Sequence, residues 1–97
     1  MSTPERNFEI AADDAEGETR REEAIDGLRT ANECDMLADL ARDDSLADRY
    51  RRRAVRALGS PQCASMLRSL VEAGDLDDEL RARAERLVEE REVDDPR

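Results

Sequence analysis

The sequence has no lysine, no histidine and no tryptophan. Its aromatic complement is Phe8 and Tyr50, and its only cysteines are Cys34 and Cys63. Each scarcity excludes something. With no histidine and no CxxC pair, a zinc site has no support. There is no Cys–His or Ser–His pair to activate a nucleophile, no GxSxG and no phosphate-binding loop. Carboxylates alone can act as acid and base, but nothing sets one of them apart. No cofactor, no metal and no enzymatic activity are therefore expected. Two cysteines are too few for a secreted disulfide scaffold. They read as buried small hydrophobes on successive helices, with a disulfide or redox pair disfavoured in a reducing cytosol. Long apolar runs are missing too. The longest uncharged stretch, Ala57 to Leu67, contains Gly59, Ser60, Pro61 and Gln62 and is too short and polar to span a bilayer. The first residues lack the basic and apolar regions of a secretory signal. A cytoplasmic chain with no membrane partner is expected.

What the chain does have is charge. Twenty-six acids face sixteen arginines, for a net charge of −10 over 97 residues. One domain is the limit at this length, and a globally basic nucleic-acid binder is excluded. An acidic surface whose cations are all arginine resembles proteins of extreme halophiles. At molar salt the Debye length falls to about 3 Å, so carboxylate repulsion is screened. Arginine is more weakly hydrated than lysine and better suited to ion pairs. A GC-rich coding sequence, in which arginine codons displace lysine codons, gives the same composition. The acid clusters Asp13-Asp14, Asp43-Asp44, Asp77-Asp78-Glu79 and Asp94-Asp95 lack the ligand spacing of a calcium loop and read as solvated surface.

The chain also repeats itself. Shifted by thirty residues, 36–58 matches 66–88 at nine of twenty-three positions, where this composition gives roughly two or three by chance. The matches include Leu37/Leu67, Leu40/Leu70, Leu46/Leu76, Arg51/Arg81, Arg53/Arg83 and Arg56/Arg86. The offset reaches backward through Arg21/Arg51, Ala24/Ala54, Ile25/Val55 and Leu28/Leu58. Helix signals agree. Gly59-Ser60-Pro61 reads as a stop and start, Thr30 begins a capping-box pattern, Ser45 and Asp75 offer capping side chains, and Gly74 ends a helix. Apolar spacing of i, i+3, i+4, i+7 predicts five helices, near 19–29, 31–43, 46–58, 61–73 and 77–91. The first is the weakest, because Glu16 and Arg20 replace apolar residues. Residues 1–18 carry six acids against Arg6 and read as a mobile acidic arm, with Phe8-Glu9-Ile10 as its possible anchor. The helical-repeat domain spans 19–92, and 93–97 should fray. The fold class is all-α, two and a half stacked helical hairpins.

A two-helix unit of thirty residues, with Leu37-Ala38-Asp39-Leu40 on one helix and Arg51-Arg52-Arg53-Ala54-Val55-Arg56-Ala57-Leu58 on the next, resembles the short HEAT-like repeats of the phycobilisome-lyase type. The resemblance implies a curved α-solenoid serving as a protein-interaction scaffold. The lyase chemistry of some members is not implied, since nothing here matches a chromophore site. Solenoids usually need about three repeats to bury their faces. Closure of this shorter array is expected from a homodimer or from the N-terminal arm.

The densest local feature is Arg49 to Arg56, five arginines in eight residues with no acid. Arg49, Arg52, Arg53 and Arg56 fall on one side of a helix. They form either a patch for phosphate or an acidic partner, or a ladder paired with Asp43, Asp44, Asp48, Asp77, Asp78 or Glu79. Recurrence of Arg81, Arg83 and Arg86 favours the ladder. The function expected is a non-enzymatic interaction module holding a protein partner. The alternative is a small nucleic-acid or nucleoprotein accessory factor using Arg49, Arg52, Arg53 and Arg56.

Overall fold

A computed structural model describes residues 3–93, and over that span the chain is all-helical. The helices are α1 (Pro4–Ala12), α2 (Glu18–Thr30), α3 (Cys34–Arg42), α4 (Asp48–Ala57), α5 (Ala64–Ala73) and α6 (Asp78–Val93). A 3-10 turn, Pro61–Cys63, leads into α5. Helices therefore start at residues 4, 34 and 64, and again at 18, 48 and 78. The thirty-residue period of the sequence recurs in these helix starts.

Local chemistry explains the recurrence. At the end of α1 the carboxylate of Asp13 accepts from the Ala15 N–H at 2.9 Å, and at the end of α3 Asp43 accepts from the Ser45 N–H at 3.0 Å. This is the same carboxylate-closed turn, thirty residues apart. The third copy is built otherwise. α5 runs on to Ala73, and Gly74 takes the left-handed conformation (φ 71°) that ends it. Between hairpins, Asn32 is also left-handed (φ 58°), and the Glu33 N–H reaches back to the Leu28 carbonyl at 3.0 Å. Thr30 thus closes α2, donating to the Asp26 carbonyl, rather than capping the next helix.

The helices pack as hairpins, α1 on α2, α3 on α4 and α5 on α6. The second helices lie side by side in the order α2, α4, α6, and α3 contacts both α1 and α5. The core between these layers is aliphatic, with Ile25, Leu28, Leu37, Leu40, Val55, Leu58, Leu67, Leu70 and Leu80 almost fully buried. Two arginines enter it. Arg21 Nε donates to the Ala11 carbonyl and Arg51 Nε to the Ala41 carbonyl, both at 3.0 Å. Each acceptor sits in the last turn of a first helix, where carbonyls have no partner within the helix. Each arginine therefore ties its hairpin together. Arg51 adds Asp77 at 3.2 Å and Asp44 at 3.6 Å, and the Arg21 guanidinium lies 4.0 Å over the Tyr50 ring.

Three expectations are corrected. There are six helices over the described residues, not five, and so three hairpins rather than two and a half. The added helix is α1, inside the segment 1–18 read as an arm. Thr3 Oγ1 caps it by accepting from the Arg6 N–H, Pro4 occupies its first turn, and it buries Ile10 and Ala11 in the core. The cysteines are not free thiols: Cys34 and Cys63 form a disulfide, with their Cα atoms 5.4 Å apart. One stands at the start of α3 and the other just before α5, so the two neighbouring helix starts meet. Of the expected frayed tail 93–97, residues 94–97 lie outside the described residues.

The two ends of the stack differ from its middle. Where the second and third hairpins bury Leu37/Leu67, Leu46/Leu76 and Tyr50/Leu80, the first carries Asn7, Glu16 and Arg20. Where the first two bury Ile25/Val55 and Arg21/Arg51, the third exposes Glu85 and Arg81, joined by a 3.3 Å ion pair.

Candidate functional site

The lateral packing of α2, α4 and α6 decides where the arginines go. Val55, Ala54 and Leu58 turn α4 inward, which leaves Arg49, Arg52, Arg53 and Arg56 along its outer side. All four line one groove of about 430 Å³ between α4 and α6. Arg83, Arg86 and Leu87 of α6 complete it. A second groove, between α2 and α4, shares Arg53, Arg56 and Leu87 with the first and adds Asp26, Arg29 and Ser60. The two form one continuous arginine-rich face on an acidic chain.

These arginines are not equivalent. Arg49 is paired with Glu18 of α2. Arg52 meets Glu79 at 3.4 Å. Arg53 grips Asp26 with two bonds, Nε to Oδ1 at 3.0 Å and a terminal nitrogen to Oδ2 at 2.8 Å. That bidentate contact raises the Arg53 pKa further above its ordinary value. Arg83 meets Glu79 of its own helix at 3.7 Å. Among the described residues, Arg29, Arg56 and Arg86 have no carboxylate within 4 Å. The expected ladder is thus present for three of the four candidates, though Glu18 and Asp26 serve in place of the nearer acids. Arg56 stands outside it. Ser60 Oγ is buried without a hydrogen-bond partner among the described residues.

The sequence period would have found Arg83 and Arg86 as members of the site, since they repeat Arg53 and Arg56. Arg29 has no repeat counterpart of its own type and gave no signal. Arg51 and Arg81, in the same run and its repeat, lie elsewhere: Arg51 is buried in its hairpin and Arg81 is turned to Glu85.

Guanidinium groups bind and orient anions, and near neutral pH they have no proton to exchange. Comparison with known proteins finds no matching family model, no similar curated protein and no similar solved structure. Among the described residues no cluster of acids and cysteines is placed to hold a metal ion, and no helix is long and apolar enough to cross a membrane. The arginine face is therefore the chemical feature on which a functional reading rests.

Proposed function

We propose that this chain is a non-enzymatic protein–protein interaction module of HEAT-like hairpins, adapted to high salt, which holds its partner on the α2/α4/α6 face. One observation carries the reading: a chain of charge −10 gathers Arg49, Arg52, Arg53 and Arg56 into one groove and leaves Arg56 and Arg86 there without a carboxylate among the described residues. Stacked hairpins of this kind bury their faces against each other and present a lateral surface for binding. The test is recovery of a stoichiometric partner with the full chain as bait, in the salt that keeps it folded. The wild-type chain should retain a partner through washing, and Arg56→Glu with Arg86→Glu should release it. Free protein alone, from cells in several growth states, would refute the reading.

A further inference from the structure

The repeat shows what the α4/α6 groove lacks. Position 26 in the first hairpin is Asp26, and position 53 in the second is Arg53. Their bidentate contact bridges α2 and α4 at 3.0 and 2.8 Å. Thirty residues on, the same two positions are Arg56 and Arg83, and they line the groove between α4 and α6. Where one inter-hairpin contact joins opposite charges, its equivalent brings two positive charges to one groove. Arg86 stands beside them and, like Arg56, has no carboxylate within 4 Å among the described residues. The groove has the cationic half of a repeated ion pair and lacks the anionic half.

We infer that this groove binds an acidic peptide segment of a protein partner, one of whose carboxylates takes toward Arg56 and Arg83 the part that Asp26 plays toward Arg53. The inference rests on the interaction-module reading and names its site and ligand chemistry. Arg83 and Arg86 supply forked donors suited to carboxylates. The half-buried Leu87 lies in both grooves and gives an aliphatic side chain something to pack on. A nucleic-acid strand fits less well. Glu18, Glu79 and Asp26 already engage four of the arginines, Arg49, Arg52, Arg53 and Arg83, so a continuous run of phosphates would pass beside carboxylates. No aromatic ring lines either groove to stack a base.

The test is fluorescence anisotropy with the full chain, at the lowest salt that preserves its helical signal. The probe is a fluorescein-labelled peptide of Glu-Leu-Asp triplets. A single-stranded RNA oligonucleotide of equal charge serves as competitor. Wild type should bind the peptide saturably. Arg56→Gln with Arg86→Gln should weaken binding about tenfold, as expected for loss of charge-assisted bonds. Arg56→Asp should weaken it at least as much, because the new carboxylate would engage Arg83 from within. Arg81→Gln, outside the groove, should change nothing. Equal binding by wild type and Arg56→Asp would overturn the inference. Tighter binding of the RNA than of the peptide would overturn it in favour of a nucleic-acid ligand. A native partner that survives Arg56→Asp would leave the interaction module standing and reject only this groove.

Discussion

The opposite character of the two inter-hairpin contacts can be measured directly. Two double-mutant cycles, Asp26→Asn with Arg53→Gln and Arg56→Gln with Arg83→Gln, remove charge while keeping shape. The Asp26–Arg53 pair has two contacts of 3.0 and 2.8 Å, on side chains that are 53% and 38% exposed. Unit charges about 4 Å apart attract by roughly 1 kcal/mol in water. With that exposure the coupling should be favourable by about 0.5–1 kcal/mol at low salt. The Arg56–Arg83 cycle should have the opposite sign, at a few tenths of a kcal/mol, because both partners are exposed cations.

Urea unfolding monitored by helical circular dichroism is the assay, at about 0.1 M salt and again above 1 M, where the Debye length shrinks from roughly 10 to 3 Å. Both couplings should shrink toward zero in the second condition. Asp26→Asn should lower the melting temperature by a few degrees, on the scale of about 4–8 °C per kcal/mol for a domain of this size. Arg56→Gln should leave it unchanged or raise it. A zero or attractive Arg56–Arg83 coupling at low salt would refute the idea that the groove concentrates uncompensated positive charge.

Other consequences concern the scaffold. Arg51→Met should cost about 2–3 kcal/mol in urea unfolding, since it strands the buried Ala41 carbonyl, whereas Arg52→Met on the exposed side should cost well under 1 kcal/mol. The Asp43 carboxyl is held below its ordinary 3.8 by hydrogen bonds from the Ser45 side chain and backbone, with Arg51 adding to it. Its contribution is present above pH 3.8 and lost as pH falls through the lower folded value, so Asp43→Asn should flatten acid unfolding in that window. Cys34→Ser opens a loop whose ends are 29 residues apart in sequence, and should lower unfolding free energy by about 3–4 kcal/mol on the chain-entropy account. Wild type treated with a dithiol should match it, and no difference on reduction would refute the crosslink's role. Light scattering should give a monomer at micromolar concentration. A dimer dispersed by changes at Arg20 or Glu85 would show instead that the ends of the stack pair.

Much of this was legible in the sequence, and the gaps have physical causes. The period of thirty was visible because Leu37/Leu67 and Leu40/Leu70 are buried twice in the same environment. Arg49, Arg52, Arg53 and Arg56 were correctly placed on one side of a helix by spacing alone. Their partners were not, because Glu18 and Asp26 come from α2, and lateral packing cannot be read from one helix's pattern. The disulfide was set aside on the premise of a reducing cytosol. Cys34 and Cys63 are out of repeat register, and only the meeting of two helix starts brings them together.

The first hairpin hid because it is an end. Residues that pack within it remain apolar: Ile10, Ala11, Ala24, Ile25 and Leu28. The equivalents of Leu37, Leu46 and Tyr50 are polar, Asn7, Glu16 and Arg20, and the Asn7 amide lies against Gly27 of α2. An amphipathic pattern halved in this way falls below what periodicity detects, and so α1 read as an acidic arm. The same substitution, reversed in direction, occurs at the other end, where Glu85 stands in place of Ile25 and Val55. What distinguishes the molecule's surface is lateral: the α4/α6 groove, where the repeat's own logic of opposite charges is interrupted by Arg56.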